Sequence, residues 1–157
     1  MVRSTILIGE PDNIDAIHER FPEVKNITHV VFTYAPHIYK RIELDLPPDL
    51  RVHEATHLQQ QGEDPAAWWD QYLNDTEFRY QQELEAYGYQ MAFVKMFYSG
   101  RHYEVMKNHT ARSFSSSMYD LGINQSVAES KIRNYAKSVD RFALEAALER
   151  ITDEGEA

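Results

Sequence analysis

Residues 53 to 57 carry side chains that together could bind and use a metal ion. They read His53-Glu54-Ala55-Thr56-His57, with two histidines four residues apart and a glutamate directly after the first. On a helix each residue advances by about 100°, so both imidazoles can reach one ion from successive turns. Glu54 is turned about 100° from His53, where it can take a proton from a water on that ion. The spacing predicts a metal-dependent hydrolase, and the alternative is a polar helix rich in histidine.

A catalytic zinc ion usually has three protein ligands and one solvent position, so a third donor is expected further along the chain. The chain has no cysteine, which leaves histidine, aspartate and glutamate as ligands. The segment FRYQQELEAYGYQ offers Glu83 and Glu85 on a predicted long helix. Glu83 lies about 60° from the centre of that helix's apolar stripe and Glu85 about 140° away, so Glu85 faces solvent.

We therefore predict that one Zn²⁺ ion is held by His53, His57 and Glu83, with water in the fourth position. Glu83 is preferred because a carboxylate at the edge of an apolar face is costly unless it is paired or bound to a metal. The alternative for Glu83 is an ion pair with Arg79, one helical turn earlier.

The apolar pattern also predicts the elements at the start of the chain. Residues 4–8 and 29–34 are rich in β-branched residues and are predicted to be strands. Residues 11–22 between them have the period of a helix, which gives a β-α-β start. Residues 38–46 are predicted to form a further strand or hairpin arm, which a proline pair ends.

The rest of the chain is predicted to be helical. Asp49 is expected to cap a helix that carries the His-Glu-x-x-His motif and ends at Gly62. Asp64 opens a short aromatic helix, and Asn74 caps a long helix that Gly100 stops. Other predictions are a loop at 113–117, helices at 125–136 and 139–151, and a disordered tail at 152–157.

Length and charge narrow the classes of protein to consider. The 157 residues, 43% of them hydrophobic, fit a single domain. A net charge of -9 argues against a nucleic-acid partner, because phosphate contacts need clustered lysine and arginine. No segment has the pattern of a signal peptide or the length of a membrane span, so a cytoplasmic protein without a membrane partner is expected. The oligomeric state is left open.

Two segments together resemble the gluzincins, zinc metallopeptidases whose third ligand is the glutamate of an E-x-x-A pattern on the next long helix. The first segment is HEATH, and in the second segment Glu83 with Ala86 matches the E-x-x-A pattern. The run from VVFTYAPHIY through WWDQYLND to FRYQQELEAYGYQ is more closely similar to small metallopeptidases encoded by bacteriophages, over about residues 28–135. This resemblance implies a protein that acts in a bacterial host.

The resemblance also implies an α+β, zincin-like fold for residues 1–157. A small β-sheet would pack on the motif helix within residues 1–62, and residues 63–151 would be mostly helical. The implied reaction is zinc-dependent hydrolysis of a bond in a peptide or protein substrate, with Glu54 as general base. Tyr87 departs from the pattern, because many gluzincins have Asp or Asn there to accept a hydrogen bond from a ligand histidine. Another residue must take that role.

Several positions near the motif have two interpretations. Residues 29–34 are either an edge strand that binds extended peptide by strand addition or an ordinary core strand. The aromatic residues of the short helix are better explained by packing than by substrate binding, and Gln61 could support the site from one turn beyond His57. Gluzincins often use a Tyr or His after the third ligand to stabilise the oxyanion. The candidates are His102, His109 and Tyr119.

Two alternatives to a peptidase stay open. The chain could be a non-catalytic binding or regulatory protein of zincin fold with a structural or vestigial ion, in which His102 or His109 is a fourth ligand. It could also keep the zinc chemistry and hydrolyse a cell-wall amide instead of a peptide bond.

Overall fold

A computed structural model describes residues 4–152 of the chain, with only the backbone of Thr152. The described part is α+β, with a small N-terminal sheet followed by a mostly helical part, as predicted. No helix in the described range is long and apolar enough to cross a membrane. The strands are β1 (Ser4–Ile8), β2 (Val31–Tyr34), β3 (His37–Lys40) and β4 (Ile151–Thr152). The helices are α1 (Ile14–Arg20), α2 (Pro48–Gln61), α3 (Pro65–Asn74), α4 (Thr76–Phe97), α5 (Gly100–Phe114), α6 (Gln125–Ala136) and α7 (Arg141–Leu148), with a 3-10 helix at Pro22–Asn26.

The elements at the start of the chain follow the predicted β-α-β order, but β1 and β2 are not neighbours in the sheet. The order is β2-β3-β1-β4, and β1 is parallel to β3 rather than to β2. Among the strands of residues 4–152, β2 pairs only with β3, as an antiparallel hairpin in which Thr33 lies opposite Ile38, so β2 is an edge strand. The predicted helix at 139–151 is too long, because α7 ends at Leu148 and Ile151 joins the other edge of the sheet. Residues 153–157 of the predicted tail lie outside the described residues.

The predicted strand at 38–46 ends early, because two cations turn the chain. Lys40 is 6% exposed, and its amine donates to the Leu44 carbonyl at 3.0 Å. The Arg41 guanidinium donates to the carbonyls of Val24 and Ile27 at 2.6 and 2.7 Å. These bonds pull the chain out of the sheet after Lys40 and toward the start of α2.

Helix α2 lies between the sheet and α4. Ile6, Ile38, Leu46 and Leu58 form an apolar cluster that joins the sheet to one side of α2. The C-terminal prediction for α2 is confirmed, since Gly62 ends the helix with a φ of 56°, a value that favours glycine. The N-terminal prediction is wrong: Asp49 lies inside the first turn, 3% exposed, and its carboxylate accepts a hydrogen bond from Gln90 of α4.

The boundaries of α3, α4 and α5 test the other predicted caps. Asp64 caps α3 as predicted, accepting from the Ala67 N–H at 3.0 Å. Asp75 rather than Asn74 caps α4, accepting from the Phe78 N–H at 3.0 Å. The long helix ends at Phe97, and Gly100 begins α5, a helix that the sequence pattern does not predict.

Candidate metal centre

Three side chains from α2 and α4 meet at one buried point. The Nε2 atoms of His53 and His57 lie 3.2 Å apart. Each is also 3.4 Å from an oxygen of Glu83, His53 from Oε2 and His57 from Oε1. The exposed fractions are 4%, 6% and 3% for His53, His57 and Glu83. These three residues form a buried group that could hold a metal ion.

The chemistry of this group fits a divalent cation. Ligands about 2.0–2.1 Å from a tetrahedral zinc ion are separated by about 3.3 Å, close to the observed separations of 3.2 and 3.4 Å. The Oε2 atom of Glu83 is buried and has no hydrogen-bond partner among the described residues. Buried acceptors without a donor are costly, so Glu83 Oε2 and the facing imidazole nitrogens need a proton or a metal between them.

Glu83 is held toward the histidines by Tyr72, whose hydroxyl donates to Glu83 Oε1 at 2.6 Å. The alternative ion pair with Arg79 is wrong, because the fully buried Arg79 guanidinium donates to the carbonyls of Tyr72 and Tyr119 instead. The prediction that Glu85 faces solvent is also wrong: it is half-buried and accepts a hydrogen bond from the Tyr135 hydroxyl at 3.0 Å.

A glutamine, rather than the expected Asp or Asn, lies beside each histidine. The Nδ1 atom of His53 lies 3.1 Å from Gln90 Oε1, and that of His57 lies 2.8 Å from Gln60 Oε1. Tyr87, at the position of the expected acceptor, instead packs edge-on against the His53 ring with 4.5 Å between centroids. Gln90 lies two turns after Glu83 on the same helix face and Gln60 one turn after His57, so helical spacing alone could have suggested both.

Glu54 lies in the same pocket as the three candidate ligands and is 6% exposed. Its Oε2 accepts from the Thr33 hydroxyl on β2 at 2.5 Å. The Thr33 carbonyl in turn accepts from Gln61 Nε2 at 2.7 Å and from Trp69 Nε1 at 3.0 Å. Gln61 therefore supports the site through the edge strand rather than through a histidine.

The pocket is a cavity of about 100 Å³ with mostly apolar walls. Trp68, Trp69 and Tyr72 line it and are also buried in a shared apolar cluster, so packing and contact with the cavity are not exclusive roles. The Trp68 ring lies edge-on to His57, with 5.5 Å between centroids. Further apolar lining residues are Ile17, Phe21, Val24, Val30, Val31, Phe32 and Met118.

The acid-base properties of the group follow from its burial. Burial lowers the pKa of His57, but the charge of Glu83 and a hydrogen bond to it, with Glu54 and Gln60 adding smaller effects, raise that pKa to about 9. Burial raises the pKa of Glu83, whereas His57 and His53 lower it well below its ordinary value. Without metal at neutral pH, a proton on His57 therefore takes the place of the cation.

Binding of a divalent cation at pH 7.5 is therefore expected to release about one proton from His57. The apparent affinity should rise about tenfold per pH unit up to about pH 9, the pKa of His57 without metal, and level off above it. Calorimetric titration with Zn²⁺ in buffers of different ionisation enthalpy measures the number of protons released. An affinity that does not change between pH 7 and 9 would contradict this prediction.

The predicted site residues fall into two groups, one in the pocket and one on the surface. His53, His57 and Glu83 lie together, and Glu54 lies in the same pocket. Tyr119 also lines the pocket, whereas His102 and His109 are exposed on α5. Comparisons of the chain with protein-family models, curated proteins and solved structures found no match.

Proposed function

We propose that this chain is a zinc-dependent peptidase of gluzincin type, in which His53, His57 and Glu83 hold the ion and Glu54 is the general base. The observation that carries the proposal is the buried meeting, within the described residues, of two imidazole nitrogens and an unpartnered carboxylate oxygen beside a second carboxylate. A set of three protein donors is typical of catalytic zinc sites, since a fourth position stays open for solvent. When bound, a zinc ion lowers the pKa of a water and polarises a carbonyl oxygen.

Glu54 supplies the proton transfers. Its carboxylate accepts the proton of the attacking water and then delivers it to the leaving amine. The hydrogen bond from Thr33 fixes one carboxylate oxygen, so the second oxygen is available for that proton. The apolar walls keep other solvent away from the reacting atoms.

Tyr119 is the best of the three candidates for stabilising the oxyanion. Its hydroxyl lies 2.8 Å from that of Tyr87, and burial followed by the charge of Glu83 raises the pKa of both tyrosines. Burial and that charge raise the pKa of Tyr119 well above its ordinary value, so its hydroxyl keeps its proton and can donate it in a hydrogen bond.

The substrate is proposed to be an extended peptide that pairs with the outer edge of β2. Part of this edge is already occupied: the Thr33 carbonyl accepts from Gln61 and Trp69, and the Ala35 N–H donates to Gln61 Oε1 at 2.7 Å. A peptide strand would therefore pair at the Val31 end of β2, which lines the pocket.

A zinc assay and a cleavage profile of the same preparation test the proposal. We expect close to one equivalent of zinc by elemental analysis after supplementation with Zn²⁺, and cleavage of a peptide library that a chelator abolishes. Purified peptidoglycan assayed in parallel distinguishes a cell-wall amidase. Bound zinc without hydrolysis of either substrate would favour the non-catalytic alternative, and less than about half an equivalent of zinc would contradict the metal centre.

A further inference from the structure

Two chains of hydrogen bonds of the same composition begin at the two candidate ligand histidines. From His53, Gln90 Nε2 donates to Asp49 Oδ2 at 2.9 Å, and Asp49 Oδ1 accepts from the Tyr98 hydroxyl at 3.1 Å. Both series of hydrogen bonds run from a histidine to a glutamine, then to a carboxylate, and end at a tyrosine hydroxyl. We call the pair the ligand relays; their members are His53, Gln90, Asp49 and Tyr98 in one and His57, Gln60, Glu85 and Tyr135 in the other.

The second relay contains one bond more than the first. Gln60 Nε2 donates both to the Gln82 carbonyl at 2.9 Å and to Glu85 Oε1 at 3.1 Å, and Glu85 Oε2 accepts from the Tyr135 hydroxyl at 3.0 Å. Tyr135 reaches Glu85 by lying against Gly88, where a Cβ atom would overlap the tyrosine ring. Glycine at this position therefore makes room for the last member of the relay.

The relays fix which histidine nitrogen carries the proton. An ionised carboxylate and a carbonyl can only accept hydrogen bonds, so the amide nitrogens of Gln90 and Gln60 must face them. The amide oxygens then face the histidines, where they can only accept from Nδ1–H. Both rings are thereby left with Nε2 toward Glu83, the nitrogen that a metal ion needs.

The relays also join the two helices that supply the ligands. Gln90 on α4 is bonded to Asp49 on α2, and Gln60 on α2 is bonded to Glu85 on α4. The polar members Asp49 and Gln90 are 3% and 4% exposed, so these bonds form away from water, where a lost partner is costly. The separation between the histidines and Glu83 is therefore set by the same bonds that set the tautomers.

We propose that Gln90 and Gln60 are the positioning residues of the metal centre, and that the carboxylate and tyrosine behind each glutamine lock its amide. This inference rests on the proposed metal site but not on peptidase activity. Both glutamines are uncharged, so Glu83 is the one anionic group among the three candidate ligands and the two side chains that lie beside the histidine Nδ1 atoms.

The experiment compares Zn²⁺ affinity, measured by competition with a chelator, in variants of the full chain. Gln90→Leu and Gln60→Leu should each weaken binding by about 10- to 100-fold. Gln81→Leu, the same change at an exposed position of α4, should leave binding unchanged. In the zinc-loaded protein, the Nδ1–H proton of His53 should give a slowly exchanging imidazole resonance that Gln90→Leu abolishes.

A paired exchange separates positioning from folding. The double variant Gln90→Glu, Asp49→Asn exchanges the positions of the amide and the carboxylate. The carboxylate at position 90 can then accept from His53, and the amide oxygen at position 49 can accept from the Tyr98 hydroxyl. Zinc affinity close to that of wild type is expected for the double variant, against the loss of about 10- to 100-fold in Gln90→Leu. Gln60 is half-buried, so Gln60→Leu provides the test if Gln90→Leu does not fold.

The outcomes separate this inference from the proposed function. Wild-type binding in both leucine variants, or no recovery in a folded exchange variant, would overturn the positioning role. If wild-type protein binds zinc, the leucine variants bind it more weakly and no peptide is cleaved, the peptidase proposal fails and the positioning role stands. If wild-type protein binds no zinc, both fail.

Discussion

Replacing Glu54 with glutamine is expected to lower kcat for peptide hydrolysis by about 10²- to 10⁴-fold, the usual contribution of a general base. Glutamine has nearly the same shape and can still accept the Thr33 hydrogen bond, but it cannot take a proton from water. The three candidate ligands are untouched, so bound zinc should stay near one equivalent. Initial rates on the best library peptide, with zinc content measured on the same sample, check the prediction.

The matched control for this variant is Glu63→Gln, which makes the same chemical change at an exposed position just after α2. Its kcat and zinc content should equal those of wild type. Wild-type turnover in Glu54→Gln would refute the base assignment while leaving the metal centre intact. Loss of zinc in Glu54→Gln would instead mean that Glu54 belongs to the ligand set.

Features that depend on local spacing could be predicted from the sequence. The four-residue interval that brings His53 and His57 together is a property of any helix, and the end of that helix at Gly62 follows from backbone conformation. The burial of Glu83 follows from its angle to the apolar stripe, which is also local, but the same argument placed Glu85 in solvent wrongly. The change of period between the start of the chain and the rest agrees with the α+β class that the resemblance implied.

Features that depend on contacts between distant segments could not be predicted. Asp49 is an acceptable helix cap by residue type, yet Gln90 and Tyr98 hold it inside the fold, 41 and 49 residues away. The order of the strands depends on which strand of the β2-β3 hairpin pairs with β1, and this is a contact between distant segments. The strand β4 has only two residues, which is too short for a sequence pattern. Arg79 could have paired with Glu83 on an isolated helix, but carbonyls from two other segments compete for its guanidinium.

The structure gives a physical reason for an aromatic residue at Tyr87, where the resemblance implied a polar acceptor. The Tyr87 ring fills the space beside His53, and its hydroxyl is hydrogen-bonded to the hydroxyl of Tyr119, which lines the cavity. The acceptor for the histidine is supplied from the next turn of α4 by Gln90, so the two roles are divided between two residues. This division allows an aromatic wall and a fixed tautomer in the same site.

Replacing Glu83 with glutamine is expected to weaken Zn²⁺ binding by more than about 100-fold, beyond the effect of losing an outer hydrogen bond. The introduced amide could still accept from Tyr72, but it would bring no charge to the ion or to His57. Without metal at pH 6, the variant should also be less stable by up to about 3–5 kcal/mol, because the protonated His57 loses its buried partner. Chelator competition and urea unfolding of the metal-free proteins measure the two effects.

The difference in stability between wild type and Glu83→Gln should change with pH, and the raised pKa of His57 determines whether it grows or shrinks. In wild type that pKa is raised from 6.5 to about 9, so the pair stabilises the metal-free fold fully below pH 6.5 and loses this effect as the pH rises through 9. The gap between wild type and Glu83→Gln should therefore narrow from pH 6 to pH 9. Glu77→Gln, an exposed change on α4, should show neither effect. A gap that widens with pH would mean that His57 is neutral in the metal-free protein and that Glu83 acts through another partner.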